Sequence, residues 1–254
     1  MGDKERIDKV LVDRGLADSR TKAQALVMSG IVLVDEIRVD KPSEKVSPEA
    51  AIRLKGDSPE TRYVGRGGLK LEGALKEFGI DPTGMRCLDV GASTGGFTDC
   101  LLQHGTSHVI ALDVGTNQLV WKLRSDDRVV VMENTNARTV EPKDLPFRPD
   151  LVVMDVSFIS VTRILPAIKG LISGDGKIIV LIKPQFEVGR GEVGKGGIVR
   201  EPEKHSAVIE SVTEFAESIG LKRVGLMESP ILGAEGNKEF LALFASVEAD
   251  EIGK

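Results

Sequence analysis

Three charged residues stand at the ends of apolar runs, where a folded chain seldom leaves a charge without a partner or a use, and a fourth, Lys70, begins a helical stretch. Lys183 closes an apolar run over 178–182 and leads into Pro184-Gln185-Phe186. Asp155 closes Leu151-Val152-Val153-Met154 and leads into Val156-Ser157-Phe158. Glu239 opens the run that starts at Phe240, and Lys70 follows the glycine pair Gly67-Gly68. Burying a lysine costs energy unless something compensates its charge. Asp155 and Lys183 end strands that can be neighbours, so each can partner the other. Two readings fit: a structural ion pair, or charges gathered at a ligand mouth to hold a substrate or move a proton. Lys70, Asp155, Lys183 and Glu239 would then put two lysines and two acids at one edge.

A second constellation is RCLDVGASTGGFTDCLL, residues 86–102. An apolar run enters the loop Gly91-Ala92-Ser93-Thr94-Gly95-Gly96, and Phe97, Leu101 and Leu102 leave it at helical spacing. That is strand, tight turn, helix. Glycines let the backbone approach a ligand closely, and a helix start offers unpaired N–H groups. The spacing is G-x-x-x-G-G, not the G-x-G-x-x-G of dinucleotide binders. Asp113 closes the next apolar run, where a carboxylate can hold a ribose hydroxyl pair. Gly91, Ser93, Gly95, Gly96, Phe97, Asp113 and Asp155 are therefore the expected contacts of a nucleoside-bearing cofactor. Asn134 and Asn136 follow the third run, placed to meet an adenine edge or simply to build turns.

These residues need a scaffold. Strands are predicted over 86–90, 108–113, 129–133, 151–155, 178–182, 222–228 and 240–247, with helices over 96–104, 117–123, 162–171 and 203–219. Strict alternation implies a mostly parallel sheet covered on both faces, an α/β fold. Two final strands without a helix between them imply a terminal antiparallel pair. A chain of 254 residues has room for two domains. No apolar run approaches the roughly 18 residues of a membrane span. The N-terminus lacks a secretory apolar segment, which points to the cytoplasm. Cys87 and Cys100 read as small core residues, and three scattered histidines offer no metal-ligand spacing. The net charge of −5 does not announce a nucleic-acid binder, so that function must rest on local patches.

Residues 1–60 follow a different pattern. A helix is predicted over 5–14 and stops at Gly15, and a second is capped by Asp18 or Ser19 with Ala23, Leu26 and Val27 inward. Short strands are predicted over 31–34 and 37–39 around Asp35-Glu36. Arg6, Lys9, Arg14, Arg20, Lys22 and Lys41 make this unit basic in patches, although acids nearly balance them. Residues 43–59 read as a strand end and linker. The expected division is 1–60, a linker over 61–68, and a catalytic domain over 69–254. Residues 188–200, VGRGEVGKGGIVR, form either a substrate loop or a surface connection.

The first unit resembles the small α+β RNA-binding domain named after the fourth protein of the small ribosomal subunit. The resemblance rests on Arg14-Gly15-Leu16, Ser19-Arg20-x-x-Ala23 and Ser29-Gly30-x-Val32-x-Val34. That family usually has Asn-Gly in the hairpin where this chain has Asp35-Glu36. The whole chain resembles the TlyA (hemolysin A-like) family, ribosomal RNA ribose 2′-O-methyltransferases of the FtsJ class. It does so through Arg66-Gly67-Gly68-Leu69-Lys70-Leu71, residues 88–98, Met154-Asp155-Val156-Ser157-Phe158-Ile159-Ser160 and Lys183-Pro184-Gln185-Phe186-Glu187. The resemblance implies a Rossmann-like class I methyltransferase sheet and S-adenosylmethionine as cofactor. It implies a Lys-Asp-Lys-Glu tetrad at Lys70, Asp155, Lys183 and Glu239, and ribosomal RNA or subunits as partner, methylated at cytidine. Arg6, Arg14, Arg20, Lys22, Lys41, Arg66, Arg190 and Lys195 are the expected RNA contacts. The rival readings are an NAD-dependent oxidoreductase and a noncatalytic RNA-binding or cytolytic protein. The loop spacing and Lys183 speak against the first, and the assembled tetrad against the second.

Overall fold

A computed structural model describes residues 4–17, 19–28, 30–47, 49–54, 62–189, 191–233 and 236–246. The chain divides into two units, Met1–Arg62 and Tyr63–Lys254. In the first, β1 (Glu5–Arg6) runs into α1 (Ile7–Asp13), and α2 (Arg20–Met28) follows. Ile7, Val10 and Leu11 from α1 meet Ala23 and Val27 from α2 in one apolar cluster. The strands β2 (Val32–Val34), β3 (Ile37–Arg38), β4 (Lys45–Val46) and β5 (Ile52–Leu54) complete the unit. They form a sheet ordered β3-β2-β5 and a β1-β4 pair. Asp35 and Glu36 join β2 to β3 with φ of 48° and 66°. Those are the positive angles that a two-residue type I′ hairpin demands. The departure from Asn-Gly thus leaves a tight hairpin intact. Arg53 clamps Glu36 at 2.8 and 2.5 Å.

The second unit opens with α3 (Gly67–Glu77), β6 (Arg86–Val90), α4 (Gly96–Gln103) and β7 (His108–Leu112). It continues through α5 (Trp121–Arg124), β8 (Val129–Met132), β9 (Leu151–Met154), α6 (Leu165–Leu171) and β10 (Lys177–Ile182). It closes with α7 (Pro184–Glu187), α8 (Pro202–Ser218), β11 (Leu221–Glu228) and β12 (Phe240–Ser246). The seven strands lie in the order β11-β12-β10-β9-β6-β7-β8. Strands β6 to β10 are parallel, and β12 runs antiparallel to both β10 and β11. The expected sheet with its terminal antiparallel pair is borne out. Alternation sorts each strand between two cores. Ile178, Val180 and Ile182 join the α6 and α8 layer, while Ile179 and Leu181 join the α3 and α4 layer.

Several local expectations are corrected. Residues 43–59, read as strand end and linker, contain β4 and β5, which are too short to show alternation; Pro48 and 55–59 lie outside the described residues. Glu5 and Arg6 pair with β4 instead of starting α1. The helix expected over 117–123 shrinks to α5. The N–H groups of Asn117, Gln118 and Leu119 donate to the Glu133 carboxylate at 2.9, 2.8 and 3.1 Å, so no helical turn is needed to satisfy them. The helix over 162–171 splits into a 3-10 turn, Val161–Arg163, and α6, because Pro166 carries no N–H. Helix α3 starts at Gly67, inside the stretch read as linker, and α7 was not anticipated. Ser19 Oγ accepts from Lys22 N at 3.3 Å, as a cap should; Asp18 and Val247 lie outside the described residues.

Candidate active site

Strand order reverses between β6 and β9, so the segments that leave their carboxyl ends run to opposite sides and leave a crevice. The glycine loop enters it. Gly91 has φ of +83°, and a Cβ there would sit 2.4 Å from the Asp155 carbonyl oxygen. Only glycine lets the loop cross the end of β9 so closely. A Cβ on Gly96 would lie 3.1 Å from both Gly65 O and Gly68 N, so this residue admits the start of α3. Gly95 caps α4 and borders neither of the cavities that result.

The larger cavity, about 500 Å³, runs from Gly91 and Ser93 past Asp113 to Asn136 and Ala137. Both Asp113 oxygens are aligned by backbone donors: Ser93 N gives to Oδ2 at 2.8 Å and Gly115 N to Oδ1 at 2.7 Å. Asn136 Oδ1 accepts from Arg138 N and Nε at 3.1 and 3.3 Å, which leaves its amide nitrogen as the group to meet a ligand. The smaller cavity, about 220 Å³, is walled by Arg66, Thr94, Phe97 and Lys183. Gly91, Ser93, Asp155 and Ser157 border both cavities.

The four charged residues form two ion pairs, of which Asp155 and Lys183 border the cavities and Lys70 and Glu239 border neither. Lys70 Nζ donates to Glu239 Oε2 at 2.5 Å, with Lys70 8% and Glu239 2% exposed. Lys70 is buried because α3 lies over the sheet and Glu239 waits at the start of β12. Lys183 Nζ lies 2.6 Å from Asp155 Oδ1 and is equally buried. Its hydrogen bond goes elsewhere, to Ser157 Oγ at 2.8 Å, and Asp155 Oδ1 accepts none. Pairing of Ile182 with Phe240 sets Lys183 beside Glu239 at adjacent strand ends. Gln185 Nε2 approaches Glu239 Oε1 at 3.5 Å, while its own oxygen is buried without a partner. Phe158, 91% exposed with φ of +65°, leans on Phe186 at 5.1 Å between ring centres. The Lys183 ammonium stands 5.8 Å from the Phe186 ring centre.

Asp89 lies beneath the loop with no exposed surface. Thr98 Oγ1 donates to its Oδ2 at 2.6 Å, and Oδ1 has no partner. Burial outweighs that bond and pushes the carboxyl up to about 7. Motif reading passed over Ser157, Gln185 and Asp89 as individual residues, although all three lie inside the segments it quoted. A hydroxyl two residues beyond Asp155 was the only local signal for Ser157.

The expected RNA contacts fare unevenly. Arg6 and Arg20 both bond Asp8, Lys22 and Lys41 are exposed, and Arg66 borders the smaller cavity. Arg14 is committed at least in part to the fold, through Nη1 to Ala50 O at 2.8 Å. Arg190 lies outside the described residues, as does the side chain of Lys195. The far end of the 188–200 segment is anchored. Asn237 bonds Gly197 O and Val199 N at 3.0 and 3.1 Å, and His205 Nε2 donates to Val199 O at 2.8 Å. Among the described residues there is no metal-binding cluster and no helix long and apolar enough to cross a membrane.

Comparison with known proteins agrees with this geometry. The family model for FtsJ-like methyltransferases matches residues 63–245, and that for the S4 domain matches residues 5–52. The 16S/23S rRNA (cytidine-2′-O)-methyltransferase TlyA of Mycobacterium tuberculosis is 48% identical, over 94% of this chain and 89% of its own length. Hemolysin A of Brachyspira hyodysenteriae is 43% identical, over 94% of this chain and 99% of its own. A solved structure of a hemolysin candidate from Streptococcus thermophilus is 48% identical, with a TM-score of 0.74, over 97% of this chain and 90% of that one.

Proposed function

The chain belongs to the FtsJ-like methyltransferase family and carries an S4 domain, and from that premise we propose that it methylates a ribose 2′-hydroxyl of ribosomal RNA, at cytidine. The observation that carries this reading is the shared wall. One cavity presents a pre-aligned carboxylate, the other a buried lysine, and Asp155 and Ser157 border both. A methyl group passed across that wall leaves the first ligand and reaches the second without crossing water.

The methyl donor is S-adenosylmethionine, and the larger cavity suits it. Asp113 would hold the ribose hydroxyls, the amide of Asn136 and the apolar wall of Leu112, Val114 and Ala137 would hold the adenine, and Gly91 admits the donor's amino-acid end. When bound, the donor supplies a methyl group already activated by its sulfonium. The chain's own task is the acceptor. A ribose hydroxyl is a poor nucleophile, so it must be held in line and relieved of its proton. Lys183, which lines the smaller cavity, holds that oxygen and stabilises the charge developing as the proton passes to solvent water at the open mouth of that cavity. Asp155 balances the charge of Lys183, and the Lys70–Glu239 pair fixes the neighbouring strand end. Phe158 offers an exposed ring on which the target base stacks, a contact that contributes roughly 1–3 kcal/mol per base.

On this reading the basic patch of the first unit grips RNA phosphates, and the protein works in the cytoplasm, where ribosomal subunits are. The test is transfer of labelled methyl groups to ribosomal RNA and to subunits from cells lacking the modification, with the product mapped. Label on a cytidine 2′-oxygen is expected. Label confined to bases, or none on RNA or either subunit, overturns the assignment.

A further inference from the structure

We propose that Ser157 is a positioning residue for Lys183: its hydroxyl sets the direction in which the ammonium points, while Asp155 sets only its charge. This rests on the reading of Lys183 given above. A buried ammonium must satisfy three N–H groups, and two oxygens lie within their reach. Asp155 Oδ1 is the closer, at 2.6 Å, and meets the ammonium as an ion contact of opposite charge. The aligned hydrogen bond runs to Ser157 Oγ at 2.8 Å. Ion contact falls off gently with angle, whereas a hydrogen bond weakens steeply when misaligned. The hydroxyl therefore decides orientation, although the carboxylate supplies more attraction.

The place of Ser157 gives that orientation a purpose. The residue is exposed and borders both cavities, so the lysine's hydrogen-bond axis is tied to the wall across which the methyl group passes. Without the hydroxyl, Asp155 Oδ1 is the acceptor at hand. A charge-assisted hydrogen bond is stronger when aligned, so the ammonium turns toward it. Lys183 would then keep its charge, its burial and its ion pair, and lose only its aim.

The experiment is single-turnover methyl transfer by the full-length protein at saturating S-adenosylmethionine and ribosomal RNA. Ser157→Ala should slow the step by about ten- to thirtyfold, within the range that misplacement of a reacting group produces. The RNA concentration for half-saturation and the affinity for S-adenosylhomocysteine should stay within about twofold, because orientation is not a binding contact. Ser157→Thr keeps the hydroxyl and should recover the rate to within about threefold, whereas Ser157→Cys, a weak acceptor, should remain slow. If Ser157→Ala lowers the melting temperature, the Cys and Thr pair decides the matter at native size. Lys183→Ala is run alongside. A near-native rate for Lys183→Ala removes the premise and the proposal together. A slow Lys183→Ala with a near-native Ser157→Ala overturns the Ser157 assignment alone, as does a defect that vanishes at saturating cofactor.

Discussion

Asp8 in the first unit and Asp155 in the second each hold cations, and they are satisfied to opposite degrees. Asp8 has no exposed surface and accepts from Arg6 Nε and Nη2 at 3.0 and 2.8 Å, Arg20 Nη2 at 3.1 Å and Gln24 Nε2 at 3.0 Å. The Arg6 guanidinium, helped by Gln24 and Arg20, holds its carboxyl well below the usual carboxylate range. Asp155 touches one lysine and accepts no hydrogen bond at the oxygen that touches it. The saturated carboxylate has no capacity left and fixes two arginines on a surface. The unsaturated one leaves its lysine free to be aimed by a third group. A cluster built for shape satisfies every acceptor, whereas one built for reaction leaves a partner to exchange.

Breaking the comparison starts with Lys183. Lys183→Ala should fold and bind S-adenosylhomocysteine normally, yet single-turnover transfer should fall by at least about a hundredfold. Lys183→Arg should not restore it, since a planar, permanently charged fork places its donors differently. Near-native rates would make the Asp155 pair as structural as that of Asp8.

Asp113 sharpens the contrast from between the two, because backbone N–H groups align both its oxygens without neutralising it. Asp113→Ala should weaken S-adenosylhomocysteine binding by roughly 1.5–3 kcal/mol, the worth of a hydrogen bond to a charged group, as titration calorimetry would read. Unchanged affinity would place the ribose elsewhere.

Asp8→Ala should destabilise the first unit by about 2 kcal/mol at pH 7, a figure discounted because both arginines remain partly in water. The folded-state pKa is depressed, so this stabilisation is present above about pH 4 and fades as pH falls through the lower folded value. Denaturant melts of wild type and variant should converge with acidification. A constant gap from pH 7 downward would separate Asp8 from its arginines.

Asp89 is a buried acid to which no cation bonds among the described residues. Its folded-state pKa, about 7, lies above that of the unfolded chain. The native state therefore holds a proton that the unfolded state releases, and stability falls as pH rises from about 4 to 7. Asp89→Asn should match wild type near pH 4 and exceed it at pH 8 in thermal melts, the gap opening as pH rises from about 4 to 7. Equal stability at both pH values would mean that the carboxyl titrates normally.

Some of this was legible before any coordinates. The runs over 86–90 and 178–182 announced buried strands, and Gly91 to Gly96 announced a turn at a strand end, because period 2, period 3.6 and glycine-rich turns leave local marks. The same rules misread residues 117–119, where Leu119 and Leu123 keep helical spacing while the backbone donates to Glu133. They were silent on β4 and β5, whose two and three residues are too few for a pattern.

The amino-acid sequence by itself determined the order of strands and helices, the glycine turn and the chemical types at the mouth. Tertiary structure decided which charges meet. Lys70 and Glu239 are 169 positions apart, and no local pattern links them; the placement of α3 over the sheet brings them together, and the pairing of Ile182 with Phe240 sets Glu239 beside Lys183. Tertiary structure also decided that Asp8 would be saturated and Asp155 would not, and that a serine would aim the lysine. Local patterns report whether a side chain faces core or water. Which acceptors reach one ammonium depends on distances between separate elements, and those exist only once the sheet has closed.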